Sequence, residues 1–442
     1  MANSFRSTLI FMILQYSFVT GQWEDVFYGG SSYPGYQLKN TYSGAYYTPG
    51  MVSHSFRRRS LPETYSSNDR LKGRRIVCLY NNVNYYKIGF TPMMIDPNLC
   101  THINYEFAML DPKTYELMPS EPAIDLQENF YDEAVALKEK NPNLKVLLSL
   151  GGWADSSKKY SELVELQERI DNFVNKVVPF LKAHGFDGLD VAWEYPNCWQ
   201  GALGVSTKDK DNYVTFLQAL RKQFDIEGFI LSVSVTAIER EIKGGYNVPA
   251  VSDAVHHINV MTYDMHGPWE AKTGHHTQFE TKAGDEDPSL NTKAAMELWA
   301  NEGVPKMKLN MGIATYAKTF TLANAANHEY GAPTVGKGKK GYISQNEGTL
   351  CYNEICQYLN AGNWTEGEDK QRGFYAYSGD QWACYDPPLM VVRKVKWLAE
   401  NGYGGILIKD LSCDDYEGLC FSMPFPLISM MKMEFESKLR KY

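Results

Sequence analysis

The chain has 442 residues, room for one large domain or two to three ordinary ones, and carries a formal charge of −8 at neutral pH. That sign argues against nucleic acid and against an anionic membrane surface as partners. Tyrosine is frequent, at 30 residues, but the composition is otherwise that of an ordinary globular protein.

In chain order, residues 1–21 read as a secretory leader. Arg6 supplies the charged start, "LIFMILQYSFV" the apolar run, and Val19 with Gly21 a small-residue cleavage site before Gln22. No later segment is apolar for long enough to span a bilayer, so the protein is expected to be secreted. Residues 22–72 hold Gly, Ser, Pro and Tyr but few aliphatics, ending near the basic run "FRRRS". Such a stretch cannot bury a core. It is expected to be a disordered leader trimmed at the arginines, or an arm that adheres to an extracellular matrix.

From about residue 73 to 442 short apolar runs alternate with amphipathic stretches. The runs are "RRIVCLY", "CTHINYEFAML", "LKVLLSLGGW", "FDGLDVAWEY", "FILSVSVTA", "HINVMTYD", "KLNMGIATY" and "GGILIKDLS". Eight runs in β-then-α order predict a closed (β/α)8 TIM barrel. An open doubly wound sheet is disfavoured because no Gly-rich phosphate loop follows the first run. The interval between the seventh and eighth runs is too long for one helix, so a small α+β insertion domain is expected at about 321–388.

Within "FDGLDVAWEYP" the strand alternation places Asp190, Ala192 and Glu194 on one face and Leu189, Val191 and Trp193 on the other. Barrel active sites lie at the C-terminal strand ends. Those ends carry Trp153, Glu194, Tyr263, Asp264 and Tyr316, a mixture of carboxylates and aromatic faces suited to a sugar. The eight cysteines suggest disulfides in an oxidising compartment, and no Cys/His spacing suggests a metal site. No organic cofactor site is evident either. Asn363, in "NWT", is a glycosylation sequon.

"FDGLDVAWEYP", "SLGGW", "MTYDMHGPWE", "GIATYAKTF" and "GYGGILIKDLSCDDYEGLC" occur in the order found in glycoside hydrolase family 18, and the resemblance runs over about residues 75–430. This family comprises chitinases and chitinase-like lectins, and its signature is usually DGxDxDWEYP. The resemblance implies a substrate-assisted mechanism, an exception to the two-carboxylate scheme. Glu194 would protonate the glycosidic oxygen, and the substrate's acetamide would form an oxazolinium ion. Asp190 and Tyr263 would assist; Trp153, Met261, Asp264, Trp269 and Tyr316 would line the sugar cleft. The bridges Cys78–Cys100 and Cys356–Cys420 are implied, while Cys198, Cys351, Cys384 and Cys413 have no implied pairing.

Five residues depart from that pattern. Ala192 occupies the place of the Asp that bonds the acetamide N–H, and Lys409 that of a Trp flooring the sugar. Leu79 and Val83 replace cleft aromatics, and Lys318 replaces an Arg. Lys409 is expected to reach Glu194 and hold it ionised, so that Ala192→Asp alone would restore little hydrolysis. Three functions follow: a lectin-like binder of chitin or N-acetylglucosamine oligosaccharides, a slow chitinase, or a matrix protein with a vestigial cleft. The Ala-Trp pair and "DLSCDDYEGLC" are similar to the imaginal disc growth factor branch. The segment "NCWQGALGVSTKDKDNY" is too short for that branch's insertion, so the branch stays open.

Overall fold

The computed structural model describes Leu71 and residues 73–439. The expected secretory leader and nearly all of the Tyr/Gly/Ser-rich segment lie outside these residues. All eight apolar runs form barrel strands: β1 (Arg75–Asn81), β2 (His102–Leu110), β3 (Lys145–Gly151), β4 (Gly188–Ala192), β5 (Ile230–Thr236), β6 (His257–Met261), β7 (Leu309–Ala314) and β8 (Gly405–Lys409). Each pairs in parallel with the next, and β8 closes the barrel onto β1. Parallel strands are covered on both faces, which explains runs without strict polar alternation.

Helices pack outside the strands by burying one apolar stripe. The helix Asp209–Glu227 buries Tyr213, Phe216, Leu217, Leu220 and Phe224, and ends at Gly228 in a left-handed conformation. The helix Gln167–Ala183 buries Ile170, Phe173, Val177 and Leu181 at the same spacing. Among the described residues no helix is long and apolar enough to cross a membrane.

Between β7 and β8 lies a six-stranded sheet with antiparallel pairings and the helix Tyr352–Asn360 packed beside it. Its first strand, Tyr316–Leu322, begins ahead of the expected boundary because Thr315 is the sole residue between it and β7. Asn363 follows the helix on an exposed turn.

Three disulfides join Cys78 to Cys100, Cys351 to Cys413 and Cys356 to Cys420. Two are the implied pairs; the third uses cysteines that had no assigned partner. Cys198 and Cys384 are buried and unpaired. Cys78 and Cys100 are 22 residues apart in sequence. Replacing both by Ser is expected to cost about 3 kcal/mol by freeing that loop in the unfolded chain. Urea titration under oxidising conditions checks this, and an unchanged midpoint would refute it.

Candidate active site

The barrel's register sets the site. Glu106, Ser149, Asp190 and Ser232 are consecutive partners across β2, β3, β4 and β5. Asp190 is consequently ringed by donors: Ser232 Oγ at 2.6 Å, Ser234 Oγ at 2.8 Å, Asn259 Nδ2 at 3.1 Å and Ser149 Oγ at 3.3 Å. Burial raises its pKa, and these bonds oppose that rise.

Ala192 is buried at the end of β4, and Trp193 faces away from the barrel interior. The Trp193 ring stacks on Tyr160 at 5.7 Å and meets Tyr213 edge-on at 5.5 Å, in the helical layer. Glu194 follows, half-buried, with its backbone oxygen accepting from Ser157 Oγ at 2.7 Å. The loop after β3 needs glycine there. A Cβ on Gly151 would lie 2.3 Å from the Ala192 carbonyl oxygen, and one on Gly152 would lie 2.8 Å from the Phe107 ring. The close approach carries Trp153 past the end of β4 with its indole largely exposed.

After β6, Tyr263 packs among Val77, Leu79, Ala314 and Leu407, with Met261 and Tyr316 against them. Its buried hydroxyl has no hydrogen-bond partner. Asp264 adopts a φ of 58°. Its carboxylate accepts from Tyr316 Oη at 2.7 Å and lies 3.2 Å from Lys318 Nζ and 3.4 Å from His276 Nδ1. Burial works to raise its pKa, but Lys318 and His276 overcome this and hold it well below the usual carboxylate range. Lys318 thus supplies a cation beside Asp264, and it also lies 5.8 Å from the centre of the exposed Trp269 ring.

A family model for Glycosyl hydrolases family 18 matches residues 75–414. The chain belongs to this family. It is 37% identical over 367 residues to the "Probable chitinase 10" of Drosophila melanogaster, covering 81% of this chain but 16% of that protein. The chain therefore spans a small part of that relative's length. Among solved structures, it is similar to catalytic domain 2 of the Ostrinia furnacalis Group II chitinase. There the TM-score is 0.80 and the identity 35%, over 82% of this chain and 97% of that one. It is also similar to human YKL-39, described as "a pseudo-chitinase with retained chitooligosaccharide binding properties" (TM-score 0.75, identity 31%, coverage 82% and 99%).

As a family 18 mouth, this one brings together the buried Asp190 and Tyr263, the half-buried Glu194, Met261 and Tyr316 and the exposed Asp264, with Trp153 and Trp269 exposed as well. The expectation for Lys409 needs correction. Its ammonium pairs with Glu106 of β2 and lies 5.3 Å from the centre of the Phe107 ring. Glu194 is not held ionised. Burial raises its pKa to about 8, aided by the Glu106 and Asp264 charges, although Lys409 pulls the other way. Removal from water outweighs one cation that is already engaged.

Glu106 and His276 are site residues that the sequence reading missed. Glu106 was findable, since His102, Asn104 and Glu106 form a polar stripe at strand spacing along β2. His276 carried no such signal.

Proposed function

We propose that the protein binds N-acetylglucosamine oligosaccharides, such as those of chitin, across the barrel mouth and hydrolyses them weakly or not at all. The observation that carries this reading is the pairing of an intact Glu194 with an alanine at position 192. Glu194 remains a competent proton donor at neutral pH, since a carboxyl titrating near 8 is largely protonated there. Ala192 can neither accept the acetamide N–H bond nor balance the oxazolinium charge, so the step after protonation lacks its support. YKL-39, a pseudo-chitinase that keeps chitooligosaccharide binding, is a precedent within the family. Three disulfides fit an extracellular setting.

A slow chitinase is the second reading, favoured by that same protonated Glu194. Measuring chitin binding and release of labelled oligosaccharide in one preparation separates the two. Binding without release supports the first reading, steady release supports the second, and no binding refutes both.

In the proposed complex Trp153 and Trp269 stack on sugar rings. Trp153→Ala is expected to weaken oligosaccharide binding by about 1–3 kcal/mol through lost apolar contact. Calorimetry showing unchanged affinity, with the fold intact, would assign Trp153 no part in binding.

A further inference from the structure

The centre of the barrel mouth holds a pair of charges that the family mechanism does not use. Glu106 reaches inward from β2 and Lys409 from the end of β8, and their side chains are 6% and 20% exposed. Glu194 is the proton donor, and the other neighbouring carboxylates are already engaged. Asp190 accepts from four side chains. Asp410 accepts from Asn84 Nδ2 at 2.8 Å, Ser412 Oγ at 2.6 Å and the Ser412 and Cys413 amides. Asp264 is held by Tyr316, Lys318 and His276.

Glu106 differs from these. It accepts from Lys409, and a carboxylate offers about four acceptor positions, so capacity remains. Lys409 has three protons, of which the ion pair uses one. The Tyr263 hydroxyl, buried and unpartnered, supplies one more donor in the same mouth. An acceptor paired with one donor, with a second donor in the same mouth, is the complement of an amide, whose N–H donates and whose carbonyl accepts.

We propose that Glu106 and Lys409 act as one specificity-determining pair for the N-acetyl group of the central sugar, with Glu106 accepting from the amide N–H and Lys409 and Tyr263 donating to its carbonyl. The pair supplies at Glu106 a hydrogen-bond acceptor that Ala192 cannot be, and it replaces stacking beneath the ring by contacts at the ring's edge. It does not supply the charge that would balance an oxazolinium, since Lys409 neutralises Glu106. This deepens the reading above and rests on it. A glucosamine residue has no carbonyl, so Lys409 and Tyr263 would lose their acceptor, and its ammonium would have to compete with Lys409 for Glu106.

The pair also carries a pH signature. Glu106 faces Lys409 and Asp410 at the end of β8, Asp190 and Glu194 on and after β4, and Tyr263 after β6. Burial raises its pKa to about 7; Lys409 opposes the rise, and Asp410 and Asp190 add to it. As pH falls through 7 Glu106 takes up a proton and ceases to be the free acceptor.

The test is calorimetry on the full chain with tetra-N-acetylchitotetraose and with its fully deacetylated counterpart. The proteins compared are the unmodified chain, Glu106→Gln, Lys409→Met and the charge-neutral double variant. We expect the unmodified protein to prefer the acetylated ligand and to lose affinity for it as pH falls from 8 to 5.5. Each variant that remains folded by circular dichroism should lose about tenfold or more in affinity for the acetylated ligand. Glu106→Gln and the double variant should also lose the Glu106-linked fall in affinity. Because neither single variant is guaranteed to fold, the double variant decides. Unchanged affinity and preference in the folded double variant, or a flat pH profile in the unmodified protein, would overturn the proposal alone. An unmodified protein that binds neither ligand would overturn the proposed function as well.

Discussion

Ala192→Asp is expected to raise the rate of chitin oligosaccharide hydrolysis by roughly 10²–10³-fold, the usual worth of one preorganised electrostatic group. No second change is required, because the proton donor is already poised. Burial holds the Glu194 pKa at about 8, so its acid form is present below that pH. The gained activity should accordingly persist through neutrality and fall above pH 8. Asp190 does not compete for the new carboxylate's ligand, since its oxygens already accept from Ser149, Ser232, Ser234 and Asn259. Release of a fluorogenic leaving group, followed from pH 5 to 9, measures the effect. A folded Ala192→Asp protein with no gain over the unmodified chain would return the blame to the missing aromatic floor.

The second large effect is on stability. Lys409→Met should cost about 3 kcal/mol at pH 8, because it leaves the Glu106 carboxylate buried and uncompensated. The pH dependence has a definite sign. The Glu106 pKa in the folded protein is raised to about 7, above the ordinary carboxylate range. A raised group favours the folded state at low pH, and that advantage disappears as pH climbs from the unfolded value through the folded one. Without Lys409 the pKa rises further, so the loss should be greatest at pH 8 and small near pH 5. Glu106→Gln together with Lys409→Met should recover much of it. Urea unfolding at both pH values checks this; an equal loss at both would mean that packing, rather than charge, is the cause.

The barrel was legible because parallel strands, buried on both faces, leave continuous apolar runs between amphipathic helices. The acids of "FDGLDVAWEYP" were legible because the strand period separates Asp190 from Trp193. Glu106 and Lys409 were not linked by any such period. They lie 303 residues apart in sequence, and closure of the barrel brings β2 and β8 to opposite sides of β1. Lys409 was visible as a departure, but its partner was not. The behaviour of Glu194 was missed for a related reason: exclusion from water belongs to the assembled mouth, whereas the sequence displays only nearby charges. The bridge between Cys351 and Cys413 likewise depends on where the insertion sheet returns to the barrel.

The two disulfides that tie residues 351 and 356 to residues 413 and 420 have a consequence for chain cleavage. The two loops overlap in sequence, so both bridges span every peptide bond between residues 356 and 413. A protease that nicks the exposed turn at Asn363, or any site up to β8, would release no fragment. The cut protein would migrate as a single chain until reductant was added, and then separate into two pieces. The insertion's sheet would outlast the continuity of its own backbone, a useful property wherever digestive enzymes share the compartment.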